Sequence, residues 1–303
     1  MNRTLKHGLF ALAALVVVGT VSGGGFVFAQ GRAYDASMAR LYDVPAPAIA
    51  RSSDAAVLAR GKHVSESIGA CSAESCHGPD LGGGKTIDMG PVASLGAPNI
   101  TGARLATYSD GELARLVKHG IKRDGRSVTF MPVEDFNWIS ESDLVALVSY
   151  LRTVPRVDRA DGVAIVKPLG KVLDRAGKLT LDVARRVDHE HVLAAPPPKA
   201  DAAYGELIAR GCRGCHGEHL SGGPIPGAPA GMAVPLNLTP HETGLRGWTY
   251  EDFDRLLSKG TRKNGRQLDP LMPQTEYAKL DDTERHALWA YLVTLPPMAF
   301  GGR

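Results

Sequence analysis

Apolar residues fall into helical spacing at two places that mirror each other. Leu144, Leu147, Val148 and Leu151 recur at i, i+3, i+4 and i+7, and Leu288, Tyr291, Leu292 and Leu295 do the same. Pro155 and Pro296 stop these runs. Ser140, with Asp143 three residues on, marks the start of the first. Earlier in each half, Ser109 with Glu112 and Thr249 with Asp252 have the form of capping boxes. Gly120 and Gly260 then provide C-terminal stops. No stretch alternates convincingly at period two, so the pattern predicts an all-α protein. Tyr150, Trp289 and Tyr291 read as core residues. Each terminal helix is expected to cross the helix that precedes the cysteine-histidine motif of its half, where Gly61 and Gly205 would let the backbones approach closely.

Residues 8–29, "GLFALAALVVVGTVSGGGFVFA", carry no charge and follow Arg3 and Lys6. A positive flank before an apolar run predicts export, and the run is about the 20 residues a bilayer needs. Residues 1–30 are therefore expected to be a retained signal anchor, with a cleaved signal peptide ending near Val27-Phe28-Ala29 as the alternative. The positive end would stay inside, leaving the rest on the periplasmic side of a bacterial inner membrane, or soluble in the periplasm after cleavage. Residues 31–50 read as a stalk.

The chain then repeats itself. "HGPDLGGG" from His77 pairs with "HGEHLSGG" from His216, and "PNIT" from Pro98 with "LNLT" from Leu236. "YSDGELARLVKHGIKRDGR" from Tyr108 pairs with "WTYEDFDRLLSKGTRKNGR" from Trp248. Met131-Pro132 pairs with Met272-Pro273, at an offset that stays between 138 and 141. Two domains, 51–155 and 200–303, follow from this repeat and suit a length of 303 residues. Residues 156–199 lie outside it as a linker, with a possible short helix in "PLGKVLDRAGK" and a stiff "APPPKA" spacer. With 35 Gly and 20 Pro, much of each unit should be loop. A net charge of only +3 argues against a nucleic-acid partner.

Chemistry enters through the cysteines. Cys212, Cys215 and His216 form C-x-x-C-H, the attachment signature of a c-type haem. Two thiols must meet two vinyl groups on one porphyrin edge, and the histidine must then fall on the iron. Cys71, Cys76 and His77 occupy the same columns with four residues between the thiols instead of two. Disulfides within either pair would close very small loops and constrain little. Zinc would want a fourth ligand that neither cluster supplies. Both clusters are therefore read as covalent haem c sites, the first with a stretched loop, and attachment through Cys76 alone stays open. His77 and His216 supply one axial ligand each. Met131 and Met272, in one column and each before a proline that stiffens its loop, are the candidates for the other. His63, His119, His219 and His286 have no counterpart in the other copy and read as surface residues. Lys122, Arg123 and Arg126, and likewise Arg262, Lys263 and Arg266, form either a solvated turn or a positive rim that steers an acidic partner.

In this order the motifs resemble duplicated class I cytochrome c domains. They are similar to the cytochrome c subunits of membrane-bound alcohol and gluconate dehydrogenases and to membrane-anchored dihaem cytochromes. The resemblance spans residues 51–155 and 200–297. It implies an all-α fold of two tandem cytochrome c domains behind a signal or anchor helix. His/Met-ligated iron passes single electrons and leaves no face for substrate. The expected function is thus an electron carrier and not an enzyme, its partners being a dehydrogenase, a quinol-oxidising complex or a terminal oxidase. A dihaem redox enzyme of peroxidase or thiosulfate-oxidising type, or an electron-accepting subunit of one dehydrogenase, are the alternatives.

Overall fold

A computed structural model describes residues 23–83, 86–190, 195–196, 198–225, 228 and 231–303. The apolar run 8–29 falls largely outside these residues. Among the described residues no helix is long and apolar enough to cross a membrane.

Helices dominate. A first helix, α1, is described over 23–38. It is followed by α2 (Ala55–Glu66), α3 (Gly102–Ala106), α4 (Asp110–His119), α5 (Glu141–Leu151) and α6 (Pro168–Arg175). Then come α7 (Ala202–His216), α8 (Tyr250–Lys259), α9 (Gln274–Tyr277) and α10 (Asp282–Leu292). The expected caps are present. Ser109 and Glu112 close a full capping box on α4, Thr249 and Asp252 another on α8, and Gly120 and Gly260 take left-handed φ of 65° and 66°. Ser140 accepts the Asp143 amide at the head of α5. On α10 the capping box is Asp281 with Glu284.

The same helix pair occurs twice: α2 packs on α5, and α7 on α10. Each crossing turns on one glycine. A Cβ at Gly61 would sit 2.0 Å from the Ala146 carbonyl oxygen, and one at Gly205 would sit 1.9 Å from that of Ala287. The backbones therefore touch where any side chain would wedge them apart.

The all-α expectation needs correction. A small antiparallel sheet runs β1 (Thr86–Asp88), β2 (Ala93–Gly96), β3 (Ala164–Val166), with Ile87 opposite Leu95 and Ser94 opposite Ile165. Strands of three or four residues are too short to show alternation, and β3 comes from the linker, far along the chain. The linker is accordingly no free spacer. Buried Asp174 on α6 accepts the amides of Leu181 and Asp182 at 2.8 and 3.1 Å and an Arg185 nitrogen at 2.7 Å. Residues 31–50 are not simply a stalk either. Tyr34 of α1 is buried in a cluster with Ala93, Leu95 and Leu181, and Lys171 of α6 pairs with Asp35.

Two histidines also depart from the surface reading. His119 lies 3.2 Å, Nδ1 to Nδ1, from His189 of the linker, and burial first, then His189, pushes its pKa down to about 4. His63 of α2 reaches across to the second half. Its Nε2 lies 2.8 Å from an oxygen of Glu284, which is fully buried. Arg60 of α2 pairs with Glu284 at 3.2 Å and with Asp143 of α5 at 2.7 Å. Asp143 and Glu284 hold the same place in α5 and α10, so one arginine ties both terminal helices together. His63, Asp281 and Glu284 bring ligand atoms within 4.8 Å of one another. The guanidinium already shares Glu284, so this carboxylate's charge is matched without a metal.

Gly205→Ala should lower the unfolding free energy by about 3 kcal/mol, read by urea denaturation. Glu284→Ala removes the acid that holds His63, leaves Arg60 with Asp143 alone, and should cost about 3 kcal/mol. The bond to Glu284 raises the His63 pKa, so its stabilisation is complete below about pH 6.5 and lost as pH climbs through the folded value. Burial pushes Glu284 up, but the His63 bond and charge, the Asp281 amide and Arg60 together outweigh it and the pKa falls, so its own contribution fades in acid. Melting temperature should decline from mildly acidic pH towards pH 8, and this slope should flatten in His63→Gln.

Candidate haem sites

The two cysteine-histidine clusters are built differently and end alike. C-x-x-C puts Cys212 and Cys215 one helical turn apart on one face of α7, and α7 runs unbroken through His216. In the first half α2 ends at Glu66, and residues 71–77 are turns. Five residues along a helix point about 140° apart, so a continuing helix would set Cys76 away from Cys71. The chain turns instead. Ala70 takes a left-handed φ of 44°, and the Ala73 carbonyl accepts the amides of Cys76 and Gly78. Gly61 precedes Cys76 by 15 residues, whereas Gly205 precedes Cys215 by 10. Measured from the helix crossings, the first site thus carries five extra residues, three of them before Cys71, where the repeat alone did not reveal them.

Beyond the histidines the two copies coincide. Leu81 and Leu220 both adopt a φ of 57°, a left-handed conformation that costs about 1–2 kcal/mol in a non-glycine residue. Both side chains are buried, which holds them there. Each leucine carbonyl accepts an amide from the following loop, that of Ile100 at 2.9 Å and of Leu238 at 2.8 Å. The outcome is one bond in both sites. His77 Nδ1 lies 2.8 Å from the Pro98 carbonyl oxygen, and His216 Nδ1 lies 2.7 Å from that of Leu236. A carbonyl only accepts, so Nδ1 carries the proton and Nε2 keeps its lone pair. Burial is the main cause that pushes both histidine pKa values down, keeping the rings neutral.

All four cysteines are free thiols. Burial pushes Cys71 up to about 11 and Cys212 to about 12, so both stay protonated at neutral pH. Free thiols, buried at Cys212, half-buried at Cys71 and Cys76 and exposed at Cys215, beside an imidazole with a free Nε2 fit a group that takes thioethers and one nitrogen ligand. Two covalent bonds and an axial nitrogen are what a c-type haem would draw from each cluster.

The methionines share a backbone. Val133 N donates to the Met131 carbonyl at 2.8 Å and Gln274 N to that of Met272 at 2.7 Å, across Pro132 and Pro273 with φ, ψ of −80°, 62° and −74°, 58°. These are inverse γ-turns, whose φ proline supplies. Both methionines are half-buried. Met89 packs in the small cluster around Tyr34, and Met232 is exposed.

Several supporting residues escaped the sequence reading. Asn99 and Asn237, the asparagines of "PNIT" and "LNLT", are buried. Asn99 donates to the carbonyls of Val157 and Arg159, and Asn237 donates to that of Met298 at 2.7 Å. Each also accepts the amide and hydroxyl of the threonine two residues on, Thr101 or Thr239. The repeat marked these positions but not their role, which is to fasten the chain after each terminal helix over the histidine loop. Arg159 then holds Asp80 and the Gly83 carbonyl, while Arg303 donates to the carbonyls of Gly223 and Cys215 at 2.7 and 3.0 Å. The basic loops are closed turns, with Lys122 N bonded to Arg126 O and Arg262 N to Arg266 O. Three of the six cations have an acidic partner: Asp124 lies between Lys122 and Arg126, and Lys263 pairs with Asp252.

Asn237→Ala removes bonds from both ends of a buried amide. It should cost about 2–3 kcal/mol and speed hydrogen exchange in residues 297–303 while leaving that of 157–161 unchanged.

Part of the chain is similar to known proteins. The chain is 35% identical over 107 residues to a fructose dehydrogenase cytochrome subunit of Gluconobacter japonicus, covering 33% of this chain and 22% of that protein. It is 37% identical over 110 residues to an alcohol dehydrogenase (quinone) cytochrome c subunit of Gluconobacter oxydans, covering 33% and 23%. A diheme cytochrome c-type of Cereibacter sphaeroides is 37% identical over 109 residues, covering 32% and 37%. The chain thus spans only a fifth to just over a third of the length of these relatives. Residues 202–296 match the cytochrome c family. The helix pair, the C-x-x-C-H helix end and the carbonyl-bound histidine all lie in that span, and the chain accordingly contains a cytochrome c domain.

Proposed function

We propose that the chain is a dihaem c-type cytochrome that carries single electrons between redox proteins. Residues 51–155 and 200–303 act as its two cytochrome c domains. Cys71 and Cys76 hold one haem c, with His77 and Met131 as axial ligands. Cys212 and Cys215 hold the other, with His216 and Met272. The observation that carries this reading is the twice-repeated Nδ1–H···O=C bond on a histidine, half-buried at His77 and buried at His216, that directly follows free thiols. It leaves Nε2 aimed and unprotonated, which an iron ligand requires. Bound haem would supply a one-electron couple. The chain's own residues orient the ring nitrogen, exclude water from it and fix the methionine turn.

The partner we favour is a dehydrogenase, because relatives in Gluconobacter are cytochrome subunits of fructose and alcohol dehydrogenases. On this reading the chain receives electrons from such an enzyme and passes them towards a respiratory acceptor. The N-terminal run would hold it at the periplasmic face of the inner membrane or direct its export.

Protein matured in an export-competent host should have an intact mass greater by two haems. Oxidised protein should show the weak near-infrared absorption of methionine-to-iron charge transfer. Met131→Ala and Met272→Ala should each remove about half of that band. A mass showing a single haem, or a band unchanged in both variants, refutes the assignment.

A further inference from the structure

The two methionine turns share a backbone but not their support. Matching backbone bridges, Ile121 to Ser127 and Thr261 to Gln267, put the two loops in register. Met131 lies four residues beyond Ser127, and Met272 five beyond Gln267. In the first half the linker runs along this stretch. Thr129 bridges antiparallel to Asp182, and the Ala184 amide donates to the Ser127 hydroxyl oxygen at 2.9 Å. Ser127 is buried, and its hydroxyl donates to the Val128 carbonyl at 2.9 Å. Longer contacts flank this bond, Phe130 N to Leu181 O at 3.4 Å and Val183 N to Val128 O at 3.5 Å. Val183 belongs to the core cluster on which Val128 and Met131 pack. The linker is itself pinned: Asp174 accepts the Leu181 and Asp182 amides, and Ser37 of α1 donates to the Asp182 carboxylate. Phe130, directly before Met131, takes a left-handed φ of 64°. That conformation costs about 1–2 kcal/mol in a non-glycine residue and persists only where its surroundings impose it. Among the described residues the Met272 loop has no such cover. Gln267, Asp269, Pro270 and Leu271 are exposed. Their bonds stay within the loop: Gln267 donates to the Thr261 hydroxyl at 3.0 Å, Leu271 N to the Asp269 carboxylate at 2.9 Å and Met272 N to the Asp269 carbonyl at 3.0 Å. Support comes from behind the methionine, where Gln274 donates to the Leu257 carbonyl and Tyr277 to that of Gly211.

We propose that linker residues 181–184 are a positioning strap for Met131, and that the unstrapped His216 site is the one that exchanges its methionine for a small neutral lone-pair donor. The proposal rests on the two-haem, His/Met reading above. In the exchange the Met272 sulfur gives up its bond to iron, and the lone pair of the incoming donor replaces it. The iron keeps its oxidation state and no proton moves. A methionine leaves only if its loop swings away, and local opening costs least where few buried contacts and long-range bonds must break. Around Met131 that motion breaks the bond from Ala184 to a buried hydroxyl and parts Val128 from Val183. Around Met272 it disturbs bonds between residues of one exposed loop. One chain thus presents a closed site and an exchangeable one, although the repeat assigns both the same ligand types.

The test titrates oxidised full-length protein with imidazole, once its mass has shown two haems and its spectrum the methionine-to-iron band. Failure of either overturns the underlying reading and is seen before the titration starts. The band should fall in two steps of similar size, the second at about ten times the imidazole concentration of the first, since one or two further hydrogen bonds must break. Met131→Ala should keep only the first step, and Met272→Ala only the second. Ser127→Ala takes away the acceptor of the Ala184 amide. It should move the second step to severalfold lower concentration and leave the first in place. Hydrogen exchange of the unsubstituted protein gives a reading that needs no added ligand: the Phe130 amide should exchange about tenfold more slowly than the Leu271 amide. A single step, a first step that belongs to Met131, a second step unmoved in Ser127→Ala, or equal exchange at Phe130 and Leu271 would overturn the proposal.

Discussion

An imidazole serves an iron only when it is neutral and aimed, and in this protein one hydrogen bond secures both. A backbone carbonyl, from Pro98 or Leu236, takes the Nδ1 proton of the histidine after each cysteine pair. Burial keeps the ring uncharged. The rest of each half serves that carbonyl. The left-handed leucine sets the loop's direction, the following asparagine clamps the chain that returns from the terminal helix, and Arg159 or Arg303 seals the outside. A loop rich in glycine has little hydrophobic content with which to fix itself, so hydrogen bonds to buried amide side chains do that work.

The helix crossings supply the rigid frame. Gly61 and Gly205 admit backbone contact under 4 Å, where even alanine would clash. The partner helices α5 and α10 also carry Asp143 and Glu284, the two acids that Arg60 joins. An acidic residue at one helical position thus has two different fates. Asp143 stays within its half, while Glu284 is drawn across and buried against His63. The duplicated sequence has in this way produced two like helix pairs whose charges are used differently.

The stretched first motif shows how far a fold will bend to keep a chemical arrangement. Five extra residues end α2 early and replace a helical turn with a knot of short backbone bonds around Ala73. Yet His77 arrives at the same kind of carbonyl as His216. The histidine and its loop behave as the conserved unit within this chain, and the run-up to it as adjustable.

Much was legible from local pattern. Capping boxes, the αL glycines, the i, i+3, i+4 stripes and the glycine crossings each depend on residues near in sequence or on a strict spacing, and all took the expected form. The cysteine and histidine columns could likewise be read from the repeat. What escaped were long-range pairings between residues of no distinctive pattern: β3 adding to β1 and β2, Tyr34 buried beneath the linker, and His63 meeting Glu284 from the other half. Sequence alone determined the spacing of the cysteines, histidines and Met-Pro pairs in the two halves, because covalent spacing and helical period are local quantities. Only the tertiary structure decided that Glu284 of the second half meets Arg60 and His63 of the first, because that depends on how two separately specified halves come to rest against each other.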